Sequence, residues 1–156
     1  MKKQKGFSLI ELLIVVAIIL IIAAIAIPNL MRARMSANEA SAVGSVRTIN
    51  TSEVQYNSTY GVGFASTLTA LGGSASTCAG ATGATSAGAC LIDDVLAAGS
   101  KSGYNFAVAG GGATYTVNAD PITPGQSGQR HFFSDQSGVI RQDPAAAATL
   151  SSAALQ

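Results

Sequence analysis

Aromatic and charged side chains are scarce in this chain of 156 residues. It has no Trp, only five Phe and four Tyr, so we do not expect a large aromatic ligand pocket. Charged residues make up 11% of the sequence, and the formal net charge is +1. Without residues 1–6 the chain has six basic and eight acidic side chains. Because nucleic-acid binding needs a clustered basic face, we expect no nucleic acid to bind through a basic patch.

The sequence also lacks a recognisable catalytic or metal-binding constellation. His131 is the only histidine, and without a nucleophile elbow its default interpretation is a partly exposed strand residue. Asp93 and Asp94 are adjacent, and adjacent helical residues do not face each other, so a solvated turn is expected. The stretch from Asp135 to Gly138 lacks the repeated acids and bidentate Glu of a calcium loop. We therefore predict no catalytic residue, no metal and no cofactor.

What the sequence does contain is one long apolar run from Phe7 to Ile27. Only Ser8 and Glu11 interrupt these 21 residues. As a helix the run is about 31 Å long, which matches the hydrocarbon core of a bilayer. An ordinary secretory signal is shorter, although the stretch from Ala23 to Ala26 weakly resembles a cleavage site. We expect a membrane-spanning helix, with an ordinary signal peptide as the alternative.

Basic residues flank the apolar run unequally. Lys2, Lys3 and Lys5 precede it, whereas Arg32 and Arg34 follow it. The positive-inside rule then favours a cytoplasmic N-terminus, with the rest of the chain outside the membrane.

Glu11 is a lone acid near the start of this helix. A charge at the centre of a span costs roughly 2.5–3.5 kcal/mol on insertion scales. One interpretation is an interfacial acid solvated by headgroups. The other is pairing with a positive group inside an assembly, and cutting after Gly6 would create such a group at Phe7. In a medium of low dielectric constant that attraction is strong.

The stretch KGFSLIELLIVVAIILIIAAIAIPNL, from Lys5 to Leu30, resembles the N-terminus of type IV pilins and related pseudopilins, which carry a class III signal peptide. The matching features are Gly6, Phe7, Glu11, the apolar run and Pro28. The resemblance implies cleavage between Gly6 and Phe7 by a prepilin peptidase, methylation of the Phe7 amine, and assembly through Phe7, Glu11 and Pro28. One departure is Leu20, where many relatives carry a helix-weakening Gly.

The resemblance also implies a function and partners. The chain is expected to be a structural subunit that polymerises into a type IV pilus for adhesion, motility or DNA uptake. The alternative is a pseudopilin of a type II secretion system. The expected partners are further copies of the chain, the membrane that its single span crosses before assembly, the prepilin peptidase, and the assembly platform with its ATPase. The expected location is the inner membrane, followed by an extracellular pilus.

The chain divides into five expected segments. They are a cleaved leader (1–6), a membrane or filament-core helix (7–28), a continuation of that helix into a head (29–60), the globular head (61–143) and a loose tail (144–156). The continuation carries an apolar stripe at spacings of three to five. Its members are Ala33, Ala37, Ala40, Val43, Val46, Ile49 and Val54.

Cys78 and Cys90 are the only cysteines, and outside the cytoplasm a disulfide between them is expected. Two free thiols or a metal pair are the alternatives. Beyond them, alternating residues predict four short strands, near 104–108, 114–119, 130–134 and 138–141. The predicted fold class is α+β and type IV pilin-like, in which the second half of a long N-terminal helix packs on a small antiparallel sheet of about four strands.

Arg32, Arg34 and Glu39 form a charged group just after the apolar run. One interpretation is a solvated juxtamembrane face. The other is salt bridges between neighbouring subunits, each worth under about 1 kcal/mol if exposed.

Overall fold

A computed structural model describes residues 7–73, 78 and 83–155 of the chain. The chain forms two compact units, Met1–Arg34 and Met35–Gln156, and each is considered by itself. The predicted leader, including Gly6, lies outside the described residues.

Helix α1 runs from Leu9 to Tyr60 and has 52 residues, close to the predicted 50. It continues through Pro28, although a proline supplies no N–H to the helical hydrogen bonds. It ends where the sequence predicted, because Gly61 adopts a φ of 65°, in the left-handed region. The Gly61 N–H donates to the carbonyl of Asn57 at 3.0 Å.

In the first unit α1 is apolar on every side. Each large apolar side chain from Phe7 to Met31 is at least 45% exposed. α1 is long and apolar enough to cross a membrane, with a mean hydropathy of 3.3 in its most apolar window. An amphipathic surface helix would instead place polar residues on one face. This unit therefore needs an apolar environment around its whole circumference.

In the second unit the strands form one antiparallel sheet in the order β1-β2-β3-β4-β5-β6. Its strands are β1 (Ser100–Lys101), β2 (Tyr104–Gly111), β3 (Thr114–Pro121), β4 (His131–Asp135), β5 (Arg141–Asp143) and β6 (Ala153–Ala154). The four predicted strands correspond to β2 through β5. The fourth begins later than predicted, at Arg141, and the two outer strands have only two residues each.

Among the described residues of this unit, two short helices follow α1. Helix α2 (Leu68–Gly72) is capped by Thr67, whose side chain accepts a hydrogen bond from the Ala70 amide. Helix α3 (Asp94–Ala97) is capped in the same way by Asp93 and the Leu96 amide. Both helices begin where they do because Thr and Asp favour the position before a helix.

The core of the second unit lies between its part of α1 and the sheet. The helix contributes Ala42, Val46, Ile49 and Tyr56. The sheet contributes alternate residues of β2 and β3 and Phe132 of β4, so that one face is buried. The α+β fold class, with a long helix and a small antiparallel sheet, is confirmed.

The buried face of α1 differs from the predicted apolar stripe. Ala37, Ala40 and Val54 are exposed, whereas Glu39 and Glu53 are buried. The prediction was wrong at these positions because it ranked residues by hydropathy alone. The head supplies hydrogen-bond donors to both carboxyl groups, which a hydrophobic pattern cannot show.

The predicted loose tail is also wrong for residues 144–155. β6 pairs with β5, and the Leu155 amide donates to the carbonyl of Ile140 at 2.8 Å. Ala148 is buried, and Leu155 packs against the core. The edge of the sheet offers unpaired backbone N–H and C=O groups, and the tail forms hydrogen bonds with them. The amino-acid composition of the tail does not indicate these bonds.

We predict that Ile49→Ala destabilises the head by about 2–5 kcal/mol, because Ile49 is 0% exposed in the core. The control is Val54→Ala on the same helix, at a side chain that is 62% exposed, and it should change stability little. Urea unfolding of the full chain in detergent, followed by tyrosine fluorescence, measures both. Equal effects of the two substitutions would contradict the assigned core face.

Candidate processing and assembly site

The first turn of α1 carries one of the two hydrogen bonds of a capping box, the one from the Ser8 amide to the Glu11 side chain. Ser8 precedes the helix, and its carbonyl accepts the Leu12 amide at 3.3 Å. The Ser8 amide in turn donates to Oε2 of Glu11 at 2.8 Å. A side chain at the third helical position that binds the amide of the capping residue is the hallmark of this motif. Glu11 therefore has a hydrogen-bond partner within its own chain.

The sequence analysis missed this partner, although the signal was present. Ser8-Leu9-Ile10-Glu11 has the S-x-x-E spacing of a capping box, directly before an apolar run. The carboxylate also lies in the first turn, where the helix dipole favours negative charge.

Phe7 lies outside the helix and is 91% exposed. Phe7 and Ser8 thus lie before Leu9, the first helical residue. A backbone outside the helix can adopt an extended conformation, whereas a helical backbone must first break its hydrogen bonds. Gly6, the other residue of the predicted cleavage site, is outside the described residues.

Comparisons with known proteins bear on this segment. Residues 1–27 match the family described as the prokaryotic N-terminal methylation motif. A stretch of 39 residues is 64% identical to the type IV wide pilus major component PilA4 of Thermus thermophilus. The resemblance to the type IV pilin family is thereby confirmed.

The likeness to this relative is confined to one stretch. It covers 25% of this chain and 30% of the relative, so the chain spans under a third of the length of the relative it matches. No solved structure gives a significant match to the chain.

Cys78 and Cys90 form the predicted disulfide, with their Cα atoms 5.7 Å apart. The neighbouring backbone is held independently of it. The Ala89 amide donates to the Ala70 carbonyl, and the Leu91 amide donates to the Leu71 carbonyl, each at 2.8 Å. The disulfide therefore adds to a segment that is already attached to α2.

Glu39 is buried in the second unit and fully partnered there. Its Oε1 accepts the amides of Gln129 and Arg130 at 2.9 and 3.2 Å, and its Oε2 accepts Nε of Arg130 at 2.8 Å. Burial raises the pKa of Glu39, but these hydrogen bonds outweigh it and hold the pKa below the usual value. Glu39 thus ties α1 to the start of β4.

These contacts correct the hypothesis that Glu39 joins Arg32 and Arg34 in bridges between subunits. The Glu39 carboxylate is engaged by Arg130 of its own chain. The sequence could not show this because the two residues are 91 positions apart. Arg32 and Arg34 belong to the first unit and are exposed.

The remaining acidic candidates have structural roles. Asp93 caps α3 and accepts Nζ of Lys101 at 2.8 Å, which lowers the pKa of Asp93. Asp135 accepts the amide of Ser137 at 2.8 Å within the turn that leads to β5. Both carboxylates thus stabilise the local backbone, one at the start of α3 and the other in the turn after β4.

His131 lies on β4 and is partly exposed, as predicted. Its ring is 16% exposed, and its Nδ1 lies 2.6 Å from Oδ1 of Asp120 on the neighbouring strand. Within residues 7–73, 78 and 83–155, this pair has no serine or cysteine hydrogen-bonded to the other ring nitrogen. The geometry therefore shows an ion-pair or hydrogen-bond contact across the sheet.

We predict that reducing the disulfide leaves the head folded at 25 °C but lowers its thermal midpoint, because the 85–91 backbone keeps its hydrogen bonds. A disulfide that closes a loop of this size stabilises the folded state by up to about 3 kcal/mol in the chain-entropy model. Near-ultraviolet circular dichroism with and without dithiothreitol measures the effect. The Cys78→Ser/Cys90→Ser double variant should not respond to dithiothreitol. Loss of the tertiary signal on reduction would contradict the prediction.

Proposed function

We propose that this chain is a structural subunit that polymerises into a type IV pilus filament through the first part of α1. The supporting observation is that the methylation motif at residues 1–27 overlaps the part of α1 up to Met31, in which every large apolar side chain is exposed. Each large apolar side chain that is removed from water contributes about 1.5–3 kcal/mol. A membrane before assembly, and neighbouring copies of the same helix after it, cover such a surface.

Processing precedes this assembly in the proposal. A prepilin peptidase cuts between Gly6 and Phe7, and the new amine of Phe7 is methylated. The peptidase needs a backbone that is not locked in a helix, and Phe7 lies before the first helical residue. The precursor resides in the inner membrane, and the polymer is an extracellular fibre built by an assembly platform and its ATPase.

Glu11 can serve the capping box and a neighbouring subunit together. Only its Oε2 accepts the Ser8 amide among the described contacts, and a carboxylate has further acceptor sites on both oxygens. The positive amine of Phe7 from an adjacent copy is the complementary group. Because few water molecules compete inside a bundle of apolar helices, this pair aligns one subunit against the next.

The fibre would serve adhesion, motility or DNA uptake. The alternative is that the chain is a pseudopilin of a type II secretion system. Pseudopilins have the same kind of N-terminal segment, with a cleavage site followed by an apolar helix. Imaging of surface fibres, with mass spectrometry of their main subunit, separates the two. Long fibres built of this chain support the pilin, whereas a chain that is absent from fibres yet required for secretion supports the pseudopilin.

We predict that Glu11→Ala and Glu11→Gln both lower fibre yield at least tenfold, because both remove the charge that pairs with the amine. The measurement is the amount of sheared fibre protein relative to the amount of subunit in the membrane. The amount of subunit in the membrane should be the same in the variants and the wild type.

Glu11→Gln is the matched control for the capping box, since its amide oxygen still accepts the Ser8 amide. If Glu11→Gln assembles normally while Glu11→Ala does not, capping is the function of Glu11 and the pairing hypothesis fails. A normal fibre yield from both variants would show that assembly needs neither the capping by Glu11 nor its pairing with the amine.

We also predict that Gly6→Leu leaves an uncut chain, because a bulky side chain replaces the smallest residue beside the cleaved bond. Intact-mass spectrometry should show the variant heavier than the mature wild type by residues 1–6 and without the added methyl group. Ala17→Leu, within the apolar run, is the control and should be cut. A mature mass for Gly6→Leu would contradict the proposed cleavage site.

A further inference from the structure

Glu53 is a buried acid that the proposed function does not use. It lies on α1 within the second unit, and its side chain is 0% exposed. Its Oε2 accepts one hydrogen bond, from the Ala65 amide at 2.8 Å. Its Oε1 is buried and has no partner among the described residues. An unpartnered buried carboxylate oxygen is costly when the group is charged.

Glu39 shows what a stable buried carboxylate looks like on the same helix. It accepts three hydrogen bonds and pairs with the guanidinium of Arg130. Glu53 takes part in no salt bridge among the described residues. The two glutamates therefore prefer opposite states, Glu39 ionised and Glu53 neutral.

The titratable groups around Glu53 add no positive charge. Tyr115 on β3 faces it, and burial together with the negative charges of Glu53 and Asp135 raises the pKa of Tyr115 to about 12. The Tyr115 hydroxyl donates to Oδ1 of Asn50 at 3.2 Å. Burial and the Ala65 hydrogen bond alone shift the pKa of Glu53, with no contribution from a positive group.

The single hydrogen bond of Glu53 goes to the post-helix segment, residues 61–65. This segment has further attachments, because the Gly61 amide donates to the Asn57 carbonyl at 3.0 Å and Gly63 forms a bridge with Gly112. The Phe64 amide donates to the Gly112 carbonyl at 2.9 Å, and the Phe64 ring lies 4.7 Å from the ring of Tyr115. Ala65 at its end is 1% exposed. Because the segment covers the carboxyl group and lies outside the helices and strands, it is the part that we expect to open locally.

We propose that Glu53 is a proton-operated latch, whose neutral carboxyl holds the post-helix segment on α1 and whose ionised carboxylate loosens it. The ionised group can regain hydration if water reaches Oε1, and this requires the covering segment to move. This inference goes beyond the proposed function and does not depend on polymerisation.

The direction of the pH dependence follows from the burial. Desolvation raises the pKa of Glu53 to about 7, although the Ala65 hydrogen bond lowers it. In the opened or unfolded state the pKa is about 4.3. The neutral group therefore stabilises the closed segment fully below about pH 4.3, and this contribution is lost as the pH rises through about 7.

Hydrogen exchange on the full chain in detergent micelles tests the latch. We expect the exchange of the Phe64 and Ala65 amides, corrected for intrinsic chemical rates, to be about tenfold or more faster at pH 8 than at pH 5.5. Glu53→Gln keeps an oxygen for the Ala65 amide but cannot ionise, so its corrected rates should be equal at both pH values.

Glu39→Gln is the matched control on the same helix and should keep the wild-type pH response of these two amides. Equal corrected rates at both pH values in the wild type would overturn the proposal, whether or not any variant folds. A wild-type pH response in Glu53→Gln would overturn it as well.

Discussion

One helix has to satisfy two environments, and the rest of the chain depends on this constraint. Up to Met31 every large apolar side chain of α1 is exposed, whereas in the second unit one face of α1 is covered by the sheet. The apolar part is unstable in water unless lipid or further helices surround it. The head has a hydrophobic core of its own. The surroundings of the apolar part of α1 can therefore change from lipid to other helices while the head keeps its fold.

The three glutamates of α1 show how burial and partners decide what a carboxyl group does. Glu11 caps the first turn, Glu39 is ionised against Arg130, and Glu53 is buried with one donor. The free energy of each ionised state depends on its hydrogen bonds and on nearby charge, not on the residue type. The same helix therefore places three carboxyl groups in three environments, which are the first helical turn, an ion pair and a buried site with a single donor.

Much of this architecture could be predicted from the sequence, because it follows from local rules. The length of the apolar run, the stop at Gly61 and the alternation in β2 and β3 are short-range patterns. The contacts that escaped prediction join distant residues, such as Glu39 with Arg130 or Leu155 with Ile140. No local pattern specifies a partner so far along the chain, so the buried glutamates and the ordered tail required the structure.

The central claim is that the apolar part of α1 is covered by copies of itself in a fibre. The most direct measurement is a cryo-electron microscopy map of fibres sheared from cells, at a resolution that shows side chains. The account predicts that Phe7 to Met31 lies buried along the filament axis and that the Phe7 amine is within about 4 Å of Glu11 of an adjacent subunit. A map with this segment on the outer surface, or with Glu11 remote from any amine, would contradict it.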